Sequence, residues 1–276
     1  MTDVADPAAP AASGDFVQSF ARGLAIIRAF DAEHPELTLS EVAQRVGVTR
    51  AAARRFLLTL ETLGYVRAAA GSGSTRAFAL TPRVLELGYS YLSALSLPEV
   101  AQPHLERLSH EVGESVSAAV LDGLDIVYVA RVPTRRIMSV AITIGTRFPA
   151  YATSMGRVLL AGLPDAAAAA VLEASSPEHL TERTLTDRAQ LRAELPRIRA
   201  QGWSLVDGEL EPGLRSIAAP VHARDGRVLA AINVSTSETR DTLDHVRVAY
   251  LPLLLSTATA IEADLRSAPG GARRPA

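Results

Sequence analysis

The chain contains no cysteine and no lysine, a single tryptophan, and only 5% aromatic residues. Without thiols there can be no disulfide, zinc ribbon, iron–sulfur cluster or thiolate nucleophile. Without lysine there can be no Schiff base and no P-loop phosphate lysine. Long apolar runs are also missing. The best stretch, 158–172, is broken by Pro164 and Asp165, short of the roughly 18 uncharged residues a membrane span needs. The first positive charge is Arg22, after Asp3, Asp6 and Asp15, which is the reverse of a secretory leader. A cytoplasmic protein with no membrane partner is the expectation. The histidines at 34, 104, 110, 179, 222 and 245 never stand at His-x-x-x-His spacing or beside paired carboxylates, so neither a metal nor any other cofactor is expected.

What the chain does have is size, a hydrophobic complement and a local charge pattern. Its 276 residues, 48% of them hydrophobic, suffice for one large domain or two unequal ones. The net charge of −2 conceals an asymmetry, because all 28 positive residues are arginine and they are unevenly placed. Between 45 and 76 lie Arg45, Arg50, Arg54, Arg55, Arg67 and Arg76 against the single acid Glu61, a local balance of +5. A basic patch on a near-neutral chain is an electrostatic footprint for a polyanion, with an arginine-rich solvated helix face as the plainer alternative.

Residues 1–14 show no periodicity and read as a disordered tail. The spacing of Asp15 and Gln18 suggests a capping box opening an amphipathic helix, with Phe16, Phe20, Leu24, Ile27 and Phe30 on its inner face. Thr38 with Glu41 opens a second helix that Gly47 stops, and Thr49 caps a third whose inner face is Phe56, Leu57, Leu60 and Leu63. Two short helices around a glycine turn form a helix-turn-helix. Tyr65–Arg67 and Arg76–Leu80, joined by a Gly/Ser turn, read as a hairpin, which makes the whole of 15–81 a winged helix-turn-helix. An apolar helix over 82–97 follows as a linker.

The remainder, 98–266, alternates differently, and 267–276 reads as a second disordered tail. Strands are expected at 115–121, 126–132 and 137–144, then helices at 154–163, 165–175 and 187–201. Strands at 204–207, 216–222 and 227–235 and a closing helix over 239–266 complete it. This order argues for an α+β domain on one mostly antiparallel six-stranded sheet, with one face free for a ligand.

The catalytic inventory is thin. There is no Gly-x-Ser-x-Gly elbow, and Asp207, Glu209 and Glu211 read better as solvated loop carboxylates than as an acid/base pair, so no catalytic residue is assigned. Two segments look suited to a small anion. Thr153 or Ser154 caps a helix whose first turn carries Gly156, offering free amides and the positive end of the helix dipole. The segment 206–220 adds Asp207 and Ser216, and Asn233 and Ser235 share one face of an apolar strand.

Motifs along most of the chain carry a resemblance. Ser19-Phe-Ala-Arg-Gly-Leu, Leu39-Ser-Glu-Val-Ala, Gly47-Val-Thr and Arg55-Phe-Leu-Leu-Thr-Leu stand in the first half. Ala152-Thr-Ser-Met-Gly-Arg, Gly213-Leu-Arg-Ser-Ile-Ala-Ala-Pro-Val and Ala230-Ala-Ile-Asn-Val-Ser stand in the second. The sequence resembles IclR-type bacterial transcriptional regulators. Its stretches 49–60, 136–142 and 145–151 are similar to the subgroup controlling protocatechuate, 4-hydroxybenzoate and β-ketoadipate catabolism. The resemblance implies a winged helix-turn-helix, a dimerising linker helix, a GAF-like effector domain, and homodimers or homotetramers. It places effector contacts at the Ser154 and Met155 amides and at Asp207, Ser216, Asn233 and Ser235. Thr49, Arg50, Ala51 and Arg54 would face the major groove of a duplex operator with palindromic or repeated half-sites, and Arg55 and Arg76 would touch phosphates or the minor groove. The expected effector is a small aromatic or oxo carboxylic acid. The competing readings are a regulator of another carboxylate pathway, an enzyme using the carboxylates near Asp207, and a structural DNA-binding protein without an effector.

Overall fold

The computed structural model describes residues 16–31, 33–69, 76–87, 97–134 and 142–267. The chain divides into two compact units, Met1–Tyr91 and Leu92–Ala276.

In the first unit, α1 (Gln18–Arg28) packs with α2 (Leu39–Val46) and α3 (Arg50–Thr62) around Ile26, Val42, Leu57 and Leu60. The capping box on Thr38 and Glu41 is present: the Glu41 carboxylate accepts from the Thr38 amide at 2.7 Å while the Thr38 hydroxyl accepts from the Glu41 amide. Gly47, at φ 66°, ends α2 in the left-handed region that a side chain rarely adopts. The Asp15 box is not observed. α1 starts at Gln18 behind Val17 with no side-chain cap, and Asp15 lies outside the described residues. The inner face of α1 is Ile26 with Phe30, whereas Phe16, Phe20 and Leu24 are exposed. Leu63, expected inward, is also exposed, because α3 has already ended and Gly64 turns the chain there. Strands β1 (Glu36–Thr38), β2 (Val66–Ala69) and β3 (Ala77–Leu80) form an antiparallel sheet in the order β1-β3-β2, β1 being unanticipated. The wing is therefore real, and its tip, 70–75, lies outside the described residues. So does most of the expected linker helix. Residues 82–84 form a 3-10 turn, 85–87 are helical, and 88–96 are not described.

The second unit is built on six antiparallel strands. They are β4 (Ser115–Asp122), β5 (Asp125–Val132), β6 (Arg147–Pro149), β7 (Ser204–Asp207), β8 (Leu214–His222) and β9 (Val228–Ser237), in the order β6-β5-β4-β9-β8-β7. The third strand differs from expectation. It is Arg147–Pro149, because Gly145 at φ 88° makes a turn at 144–145, and 135–141 fall outside the described residues.

Neither face of the sheet is free. On one face α4 (Leu97–Val112) and α8 (Leu243–Ser267) bury Leu105, Ile217, Ile232, Leu254 and Ile261 completely, each burial worth about 1.5–3 kcal/mol. On the other lie α5 (Ser154–Ala161), α6 (Asp165–Ala174) and α7 (Arg188–Gln201), packed over Ala119, Ile126, Tyr128, Ala218 and Ala231. One helix, α8, does have the length and apolar composition of a bilayer span, which a search for uncharged runs misses. Its stripe Val246, Tyr250, Leu254, Ala258 and Ile261 is buried against the sheet, as a core helix requires.

Candidate functional site

The DNA-facing candidates gather on one side of α3. The Thr49 hydroxyl caps the helix by accepting from the Ala52 amide at 3.2 Å. Ala53, Leu57 and Leu60 turn inward, leaving Arg50, Ala51, Arg54 and Arg55 exposed together at positions i, i+1, i+4 and i+5. Among the described residues, none of these three arginines has an acidic partner. Arg76 differs: it donates to both Glu61 oxygens, at 2.6 and 2.8 Å, and lies 5.2 Å from the Phe78 ring centre. Arg76 is thus anchored to Glu61 at the base of the wing in an exposed ion pair, a partner that the three helix arginines lack among the described residues.

The effector candidates meet where β8 and β9 pass the start of α5. Ser154 and Ser216 hydroxyls stand 2.8 Å apart. The Asn233 amide donates to the Ser216 hydroxyl at 2.8 Å and to the Ser235 hydroxyl at 2.9 Å. Thr153 caps α5 through the Gly156 amide at 3.0 Å, and the Ser154 and Met155 amides belong to the first turn, whose amides have no intrahelical partner. Gly156 is required by packing, since a Cβ there would sit 2.1 Å from the Ala150 carbonyl oxygen. Thr153, Ser154, Met155, Ser216, Asn233 and Ser235, with Tyr128, Ile142, Val206, Leu210 and Leu214, line a narrow cleft with a cavity volume of about 20 Å³. Burial pushes the Tyr128 phenol up to about 12, so it stays neutral through the physiological range.

The other acidic candidates are placed elsewhere. Asp207 does not line the cleft, because its oxygens accept from Arg215 at 2.6 Å and from Arg183 at 3.0 Å. Glu209 is not solvated. It pairs with the buried Arg157 at 2.5 Å and accepts from the Leu185 amide, which ties α5 to the loop after β7. The apolar walls, Tyr128, Val206, Leu210 and Leu214, were not singled out from the sequence. For Tyr128, Val206 and Leu214 the signal is the apolar pattern of their strands, which a core residue shares, and Leu210, in the loop between β7 and β8, has none.

A winged helix-turn-helix presenting unpaired arginines, joined in one chain to a two-sided sheet with a small-molecule cleft, defines a ligand-responsive DNA-binding regulator. Residues 19–70 match the IclR helix-turn-helix domain, and residues 89–263 match the bacterial transcriptional regulator IclR C-terminal domain. The chain belongs to the IclR family of bacterial transcriptional regulators. It is 45% identical over 245 residues to the Pca regulon regulatory protein of Pseudomonas putida, covering 88% of this chain and 82% of that one. A solved structure from Rhodococcus sp. RHA1 is 59% identical with a TM-score of 0.82, covering 92% of this chain and all of that one. An IclR homolog from Microbacterium hydrocarbonoxydans, solved in complex with 4-hydroxybenzoate, is 26% identical with a TM-score of 0.79, covering 91% of this chain and 100% of that one.

Proposed function

We propose that the chain regulates transcription of genes for aromatic-acid catabolism in the cytoplasm, and that a small aromatic or oxo carboxylic acid bound in the cleft is its effector. The observation that carries this reading is the cluster of Ser154, Ser216, Asn233 and Ser235 at the open start of α5, set among apolar walls. Helix-start amides and hydroxyls suit the polar groups of a small acid, and the walls suit a ring. The similarity to a Pca regulon regulator and to a homolog carrying 4-hydroxybenzoate supports the same chemistry. The residues lining the cleft include no carboxylate, imidazole or guanidinium, so it offers recognition and lacks an acid/base pair.

On the DNA side, Arg50 and Arg54 read base edges, Arg55 holds phosphate, and Thr49 and Ala51 lie against the groove wall. A homodimer or homotetramer presents these helices to palindromic or repeated half-sites. The effector acts by binding one subunit arrangement better than another, which shifts their populations. The test is fluorescence anisotropy on labelled DNA from upstream of the neighbouring catabolic genes, with and without protocatechuate, 4-hydroxybenzoate and β-ketoadipate. The expected result is sequence-selective binding whose affinity changes with at least one acid. Binding indifferent to sequence, or no response to any acid, overturns the proposal.

A further inference from the structure

Among the described residues, two buried side-chain atoms lack a hydrogen-bond partner: Arg131 Nε and Asn233 Oδ1. They are not scattered. Register sets Arg131 of β5 opposite Ser117 of β4, and Ser117 opposite Asn233 of β9, so the three side chains form one row across the cleft face of the sheet. Neighbouring strands lie ~4.8 Å apart, which puts the two backbones ~10 Å apart, and Arg131 reaches across part of that gap. Its Nη1 donates to the Ser117 hydroxyl at 3.2 Å.

The other enclosed guanidiniums of this unit are neutralised. Arg157 has Glu194 and Glu209, and Arg215 has Asp207. Arg131 has no acidic partner among the described residues, and burial pulls it below the ordinary arginine range, offset only in part by the Tyr128 hydroxyl beside it. A half-buried charge without a counter-ion is costly, and it persists where a bound anion supplies the missing partner. Asn233, only 3% exposed, presents the complementary deficiency: a carbonyl oxygen in want of a donor.

We propose that Arg131 is the anion-binding residue of the effector site, taking the effector's carboxylate, while Asn233 Oδ1 accepts a hydrogen bond from a hydroxyl on the far side of the ring. The inference rests on the cleft being the effector site and narrows the effector to hydroxy-substituted aromatic acids with acid and hydroxyl apart. It adds a residue of β5 that lies outside the cleft lining, three positions along the strand from Tyr128, which does line it.

Calorimetry on the full chain tests it, using 4-hydroxybenzoate and protocatechuate beside their neutral amides. The native protein is expected to bind at least one acid tenfold or more tighter than its amide. Arg131→Gln should reduce the acid to the amide's affinity and leave the amide unchanged, and Arg131→Lys should retain part of the preference. Acid binding unchanged in Arg131→Gln, or acid and amide weakened equally, overturns the assignment. Thermal denaturation provides the folding control. Ligand-free Arg131→Met should melt no lower than the native protein, because it loses an unpaired charge. A lower melting point with the acid preference intact in Arg131→Gln marks a structural arginine and also overturns the assignment. Should the native protein bind neither acids nor amides and no acid alter DNA affinity, the function proposed above fails and takes this inference with it. Native binding that Arg131→Gln leaves untouched sinks the inference alone.

Discussion

Arg54 and Arg55 are adjacent on α3 and both exposed, with Arg54 one turn from Arg50. The proposed reading gives them different tasks, a base edge for Arg54 and phosphate for Arg55. Arg54→Ala is expected to weaken operator binding by about 1–3 kcal/mol with little change on random DNA. Arg55→Ala should weaken both alike and reduce the slope of log affinity against log salt by about 0.9. Competition anisotropy at several salt concentrations reads both. Asp207 illustrates a different lesson. With both oxygens bound to arginines, its removal strands Arg215, whose side chain is 14% exposed. Asp207→Ala should cost about 1–3 kcal/mol in a denaturation experiment, an effect on the fold that precedes any effect on ligand.

Among the elements, α2 and α5 begin in contrasting ways, and each start is open to test. The reciprocal bonds of Thr38 and Glu41 fix where α2 enters the helix-turn-helix, so Thr38→Ala should cost about 1 kcal/mol in urea denaturation. At α5 the constraint is steric. Gly156→Ala pushes a methyl into the Ala150 carbonyl, and the expected outcome is a loss of about 1–3 kcal/mol together with weakened effector binding in calorimetry. Both helix starts were legible in the sequence because capping is local chemistry: an oxygen, three residues, an amide. The same holds for Gly47, for the β4–β5 turn at Gly123, and for Asn233 and Ser235 on one strand face. What was hidden depends on partners distant in sequence. Nothing near 147 marks Arg147–Pro149 as an edge strand, since its pairing is with β5 some twenty residues earlier. Phe16, Phe20 and Leu24 carry perfect helical spacing and remain exposed, because periodicity says which residues share a side and not whether anything covers it. Asp207 and Glu209 looked alike as loop acids, and only the fold shows that the first holds Arg215 and the second neutralises Arg157. Arg131 was invisible for the same reason, as one arginine among 28 until its lack of a counter-ion appeared.

For the whole molecule, the two units answer to different solution variables. Helix-turn-helix contacts with DNA should weaken steeply with salt, whereas effector binding inside a partly enclosed cleft should respond far less. Light scattering is expected to give twice or four times the chain mass, with binding to paired half-sites much tighter than to one; a monomer bound to a single site would contradict this. The cleft itself has a property that bears on how such regulators diversify. Its polar wall is made of hydroxyls around one amide, and because hydroxyl hydrogens rotate, Ser154, Ser216 and Ser235 can each turn from donor to acceptor to answer a phenol or a carboxylate while every heavy atom stays put. Exchange of a few small side chains there would retune a descendant toward a new nutrient without disturbing the machinery that grips the chromosome.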